Sequence, residues 1–170
     1  MIDNWFKNIK FAICTGKSYS VSKKVCEQFN ASFGIFGNGT QIINLQTGEE
    51  ILRNTLSYED LLFVCTLAKR FNFHIHLYTE NEIISEKLEF MDLRNYVLKS
   101  QNSNTTLKFK IVKDILKYIE TSNSSVFSMV ISTEKNELTE FKNLLSINKN
   151  IDFSYINKRG KYRDEIIDKD

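Results

Sequence analysis

Residues 13–20, ICTGKSYS, place a hydroxyl, a glycine and an ammonium side by side at Thr15, Gly16 and Lys17. Such a trio suits an anion: the hydroxyl donates, the glycine lets backbone approach, and the lysine supplies charge. A nucleotide-binding P-loop is excluded by spacing. G-x-x-x-x-G-K-[ST] needs a glycine where Phe11 stands, because that first glycine makes the turn that wraps backbone N–H groups around phosphates. Residues 10–14 instead form a short apolar run that reads as a buried strand, broken by Gly16. Ser18 or Ser20 then caps a helix running to about Asn30, with Val21, Val25 and Phe29 on one face. A strand, a short turn and a helix N-terminus present N–H groups and a positive dipole end to an anion. Taken alone, these eight residues fit an ordinary strand-to-helix turn with a solvated lysine more readily than a site.

Two further groups of residues carry chemistry. Gly-Asn-Gly at 37–39 lies between apolar runs, a turn signal that either brings backbone close to a ligand or takes positive φ. The segment 73–79, FHIHLYT, alternates strictly. Phe73, Ile75 and Leu77 point to one face and His74, His76 and Tyr78 to the other. Two histidines without a nearby acid or cysteine make a poor metal site, so a polar surface face of the strand is the expected role. The basic stretch 157–163, NKRGKYR, reads as a solvated hairpin turn rather than an anion site.

The elements that must position these residues follow from pattern. The short strands continue through residues 33–52, with turns at Asn38-Gly39 and Thr47-Gly48. From Ser57 the text changes. A helix-capping serine is followed by acids, and Leu61, Val64, Cys65, Ala68 and Phe71 recur at helical spacing to residue 71. Residues 73–79 and 82–85 form a hairpin, 87–100 a helix, 101–106 a polar loop, and 111–120 a helix with Ile111, Ile115 and Ile119 in register. A strand at 126–132, an amphipathic helix at 135–146 and a closing hairpin, 151–156 and 162–167, complete the pattern. The expected class is α/β, with an antiparallel-rich sheet and helices on one face in the second part.

Composition bounds the function. At 42% hydrophobic and 26% charged, the 170 residues describe a globular protein with enough chain for a core. A net charge of +2, from 23 basic and 21 acidic residues, gives no basis for a nucleic-acid or membrane partner. No apolar run reaches the length of about 18 residues that a membrane span needs. The first ten residues lack a signal-type apolar stretch, so the chain is read as cytoplasmic. Cys14, Cys26 and Cys65 lack zinc spacing and are expected as buried free thiols.

In this order, the motifs resemble those of the Cof-type branch of the haloacid dehalogenase (HAD) superfamily of phosphatases, which carry a large α/β cap. The run 9–20, IKFAICTGKSYS, is similar to that family's second motif, where a strand ends in Thr or Ser followed by Gly-Arg. Thr15, Gly16, Lys17, Tyr19 and Ser20 fall on its positions, and Asn38-Gly39 falls on the Asn-Gly after the next strand. FNFHIHLYT resembles the first cap strand and YRDEIID, 162–168, the exit from the cap. The resemblance covers nearly the whole chain. It implies a partial Rossmann-like core over 1–54 and, over 55–170, an α/β cap with the start of the return to the core. It further implies that Thr15 and the Gly16-Lys17 amides hold phosphate. Asn38 and Gly39, with His74, His76 and Tyr78 of the cap, would contact a small phosphorylated metabolite. A turn role for Asn38 stays equally open.

The departures bear on activity. Family members open with an Asp-x-Asp strand that supplies the nucleophile and holds Mg²⁺, and close with a lysine and an acidic pair. Neither set has a counterpart here, and Asp3 stands in the wrong context. Lys17 replaces the usual arginine, keeping the charge and losing the bidentate fork. The expectation is therefore a Mg²⁺-dependent phosphatase by resemblance, inert as this chain, with no catalytic or metal-ligating residue in it. Gene fragment, degenerate copy and half of a split phosphatase remain open. The alternative is a non-catalytic interaction module. On that reading, apolar strand edges at 10–14 and 33–36 would be exposed for self-association or a complementing chain.

Overall fold

The computed structural model describes residues 9–87, 108–133, 138–158 and 161–168. The helix expected over 87–100, Lys87 apart, and the loop at 101–106 lie outside them. The chain divides into two compact units, Met1–Arg53 and Asn54–Asp170.

The described residues of the first unit form a four-stranded sheet with one α-helix. Its strands are β1 (Ala12–Cys14), β2 (Phe33–Phe36), β3 (Gln41–Asn44) and β4 (Glu50–Arg53), in that spatial order. β1 and β2 run parallel, and the other pairs are antiparallel. Helix α1 (Tyr19–Gln28) connects the parallel pair, as a parallel crossover requires. It stops in a left-handed residue, Asn30 (φ 48°). The Ala31 N–H then bonds the Cys26 carbonyl, and the Asn30 N–H bonds that of Glu27. Asparagine does here what glycine commonly does at a helix end. Cys26, Ala31, Phe36 and Ile43 form the core, with the Tyr19 ring 5.2 Å from that of Phe36.

Two expectations for this unit are corrected. The strand read as buried over 10–14 is mostly open to solvent, with Ala12 and Cys14 exposed and Ile13 half-buried; on α1, Val25 and Phe29 are exposed, at 45% and 65%, while Ser22 and Cys26 are buried. Segment 33–36 is not an edge: β2 pairs with β1 on one side and β3 on the other, and Phe36 is fully buried. β1 alone matches the expected exposed strand.

The second unit is a six-stranded sheet in the order β7-β6-β5-β8-β10-β9, antiparallel except for β6 beside β7. Its strands are β5 (His74–Tyr78), β6 (Glu82–Ser85), β7 (Lys108–Ile111), β8 (Ser128–Thr133), β9 (Ile151–Lys158) and β10 (Lys161–Asp168). Helices α2 (Tyr58–Arg70), α3 (Ile115–Thr121) and α4 (Leu138–Leu145) share one apolar cluster with alternate strand residues, including Ile75, Leu77, Ile84, Met129 and Ile131. One face of the sheet therefore packs on the helices. Helix α2 forms where its local signals agree. The Ser57 hydroxyl oxygen accepts from the Asp60 N–H at 3.1 Å, Glu59 and Asp60 stand in the first turn, and Lys69 and Arg70 stand in the last. Asn72 (φ 55°) ends it as Asn30 ends α1. Asp60 is buried, and its carboxylate accepts from the Ser57 hydroxyl at 2.7 Å and the Asn148 amide at 2.5 Å, which satisfies it.

Ile111 does not join a helix. It ends β7, half exposed, because Asp114 caps the following helix by accepting from the Leu116 N–H at 2.9 Å. The helix expected over 111–120 is shortened to α3, and β7 is a strand the pattern missed.

Candidate functional site

Two turns of the first unit lie against each other. β1 ends at Cys14, and the Thr15 N–H continues its ladder by bonding the Ile35 carbonyl at 2.9 Å. Beyond β2, the Gly37 N–H donates to the Lys17 carbonyl at 3.1 Å. These two bonds clamp the turn after β1 to the turn after β2.

Within the clamp, Asn38 lies over Gly16. A β-carbon on Gly16 would sit 2.5 Å from Asn38 Oδ1, so the carboxamide approaches only because Gly16 has no side chain. Asn38 is itself left-handed (φ 59°), a conformation asparagine tolerates better than most residues. Gly37 before it is also left-handed (φ 57°), and a β-carbon there would strike the Thr40 hydroxyl. That hydroxyl is fixed by donating to the Gly37 carbonyl at 2.9 Å, and Thr40 is buried. Gly37 and Thr40 are thus the supports that sequence reading did not assign. The signal for them was present in Gly-Asn-Gly-Thr, a glycine doublet closed by a residue that back-bonds its own turn.

Thr15 is half-buried, whereas Gly16, Lys17 and Asn38 are exposed. The Thr15 hydroxyl oxygen accepts from the Lys17 N–H at 3.2 Å, which leaves its own proton to donate outward. Helix α1 starts directly after, with Ser18 as N-cap. The Ser18 side chain does not bond the helix backbone; it shares a 3.0 Å bond with Ser20 instead. A hydroxyl, an ammonium, a carboxamide and a helix N-terminus therefore border one small surface, and none of the three side chains is acidic. The arrangement can hold an anion.

His74, His76 and Tyr78 belong to the second unit, on β5. They are register partners of Ser132, of Ser85 and Val130, and of Ile83 and Ser128 respectively. The polar surface expected there is corrected at its centre: His76 is 3% exposed, and Ser85, Val130, Ser128 and Ser132 beside it are also buried. Only His74 and Tyr78 keep partial exposure. Cys14 is likewise exposed rather than buried, whereas Cys26 and Cys65 are buried.

Magnesium takes hard oxygen ligands, usually carboxylates. Thr15, Gly16, Lys17 and Asn38 offer one hydroxyl, one amide oxygen and a repelling ammonium. Among the described residues, no group of three or more His, Cys, Asp or Glu is placed to hold a metal. The residues described do not fit the ion that the resemblance implies.

A two-unit α/β chain with hydroxyl, ammonium and amide donors at the end of a parallel strand defines a class, and comparison with known proteins defines it further. Residues 3–170 match the family of haloacid dehalogenase-like hydrolases, and the chain belongs to that family. A search of curated proteins returned no match. Among solved structures, a haloacid dehalogenase-like hydrolase from Bacteroides thetaiotaomicron is similar at a TM-score of 0.71 and 18% identity, over 99% of this chain and 61% of that one. One from B. subtilis gives 0.72 and 12%, over 98% and 64%. A HAD subclass IIB sugar phosphatase gives 0.62 and 13%, over 99% and 60%. The chain thus spans about three-fifths of the length of these structures. No described helix is long and apolar enough to cross a membrane.

Proposed function

We propose that the first unit is the phosphate-holding part of a phosphatase core for small phosphomonoesters of the sugar-phosphate kind, and that the second unit is its cap. One observation carries the reading: Asn38 lies over Gly16 in the clamp that also presents Thr15 and Lys17. Thr15 donates its hydroxyl proton to a phosphate oxygen, Lys17 neutralises charge, and Asn38 donates its amide. His74, His76 and Tyr78 of the cap choose the metabolite. Free thiols at all three cysteines suit a reducing compartment such as the cytoplasm.

Holding phosphate is not cleaving it. Covalent phosphoryl transfer needs a carboxylate nucleophile and a cation against developing charge. The described site supplies only the ammonium of Lys17, so the 170-residue chain binds and does not turn over. The test has two arms. Inorganic phosphate should shift the backbone NMR signals of Thr15, Gly16 and Lys17, and Thr15→Ala with Lys17→Ala should abolish the shift. An aryl phosphate and a sugar-phosphate panel, with Mg²⁺, should show no turnover above a metal-free control. Phosphate-induced shifts elsewhere, or metal-dependent turnover that survives repurification, would overturn the reading.

A second reading, a non-catalytic interaction module, is favoured by the surface around β1. β1 is an edge strand, and Phe11, Val25 and Phe29 of the same unit are exposed at 40%, 45% and 65%. Parallel strands are ordinarily covered on both faces, and apolar edges recruit partners. The occupant we assign is a complementing polypeptide that pairs with the β1 edge. In isolation the same surface should pair with a second copy, and light scattering should register concentration-dependent association that Phe29→Lys reduces. A sharp monomer at all concentrations contradicts it.

A further inference from the structure

The second unit holds a cavity of about 220 Å³ between the start of α2 and the loop leaving α3. Its floor is apolar: Leu61 and Ile119 are both 6% exposed. Tyr58 and Tyr118 line it as rings, and Thr55 and Asn123 are among its hydroxyl and amide groups. None of the residues lining it carries a charge.

That chemistry selects a ligand class. A phosphate ester or carboxylate would find no cation among the lining residues, the Lys110 ammonium being engaged over the Tyr118 ring, and a metal ion would find no carboxylate. A purely apolar ligand would strip water from the hydroxyl and amide groups without replacing the lost bonds. A neutral ring with hydroxyls at its edge and C–H groups on its face meets both surfaces. The volume fits one such ring, being below the ~300 Å³ at which pockets for larger ligands begin.

The walls are set before any ligand arrives. The Tyr118 hydroxyl donates to Ser124 Oγ at 3.1 Å, and the Lys110 ammonium stands 4.8 Å from the Tyr118 ring centroid. The Ser124 N–H bonds Ser122 Oγ at 3.0 Å, which folds the loop on itself. The Leu56 N–H bonds the Val126 carbonyl at 2.8 Å and ties the loop to the start of α2. Tyr58, by contrast, is 49% exposed, an aromatic ring at the mouth that core packing does not explain.

We propose that this cavity recognises a neutral monosaccharide or cyclic polyol. Its C–H face lies against the tyrosine rings and its hydroxyls bond Thr55 and Asn123. The inference uses no residue of the phosphate site and stands or falls apart from it.

The test is saturation-transfer NMR on the full chain with D-glucose and with myo-inositol. Transfer to ring C–H protons should saturate with concentration. Tyr58→Ala should weaken binding about three- to tenfold, the worth of one aromatic contact. Because Tyr58 is exposed, thermal unfolding should stay put. Asn123→Ala, also at an exposed position, should weaken binding as well. Excess inorganic phosphate should leave the sugar signal unchanged. No transfer to either probe, equal transfer in both variants, or displacement by phosphate overturns the proposal.

Discussion

The two units solve the same problem with unequal means. Among the described residues, the second buries three helices against one face of a six-stranded sheet, and Phe141, Leu145, Leu77, Ile84 and Met129 are fully inaccessible. The first has one helix, a four-stranded sheet and a core of Cys26, Ala31, Phe36 and Ile43. Yet the first unit carries the two clamped turns that we propose hold phosphate. Their geometry comes from backbone bonds, from Gly37 to Lys17 and from Thr15 to Ile35, rather than from packing. Loops that bind ligands can rest on thin packing when hydrogen bonds over-determine them.

The sharpest way to break this comparison is to remove one ring from each core. Phe141 touches Phe71 edge-on at 5.7 Å and Phe73 at 5.1 Å, and Phe141→Ala should cost about 3–5 kcal/mol. Phe36→Ala opens a comparable hole in a much smaller core. In urea, followed by circular dichroism, two transitions are expected. Phe36→Ala should move only the earlier one and Phe141→Ala only the later. A single transition shifted by both variants means that the units fold as one, and the contrast fails.

A smaller effect lies on the surface of the second unit. The Lys69 ammonium bonds Glu86 Oε1 at 2.9 Å and Asp114 Oδ1 at 3.0 Å, joining α2 to the end of β6 and the cap of α3. The bond from Lys69 holds the Asp114 carboxyl below its ordinary value, and the bond to Glu86, opposed by partial burial and aided by the bond to Asp114, leaves Lys69 above its own. The depressed carboxyl contributes stability above the ordinary carboxylate range and loses it as pH falls through the lowered value. The raised ammonium contributes below the ordinary lysine range and loses it as pH rises through the raised value. Melting temperature against pH should therefore separate wild type from Lys69→Met at neutral pH and bring them together in acid. A constant gap across the acid limb would assign the effect to the lysine's methylene packing.

How much of this could be read from sequence follows the range of the interaction. Helix α2 was legible because Ser57, Glu59, Asp60 and the apolar spacing all act within a few residues. The strand β7 was not, because KFKI is stabilised by pairing with β6 across a long separation. On α1 the apolar Val25 and Phe29 lie exposed, because only the sheet decides which side of the helix is covered. His76 reads as a surface residue by alternation, yet β8 lies beside β5 with all six of its residues buried. At the site, Thr15, Gly16 and Lys17 stood out by type. Asn38 over Gly16 did not, because that contact depends on two turns meeting.

The mildest test leaves stability untouched and uses the three thiols as clocks. Cys14 is exposed at the end of β1, next to Thr15. Cys26 lies in the thin core of the first unit, where burial pushes its thiol up. Cys65 lies in the larger core with its Sγ 3.9 Å from Met129 Sδ, and burial pushes it up to about 12. Thiolate and access both set the rate of alkylation, so the native protein should label at Cys14 at once. Cys26 should follow at the rate at which the first unit opens, and Cys65 only when the second unfolds. Mass spectrometry of timed samples gives the order directly. Simultaneous labelling of Cys26 and Cys65 would mean one cooperative opening for both units, and Cys65 ahead of Cys26 would reverse the ranking of the two cores.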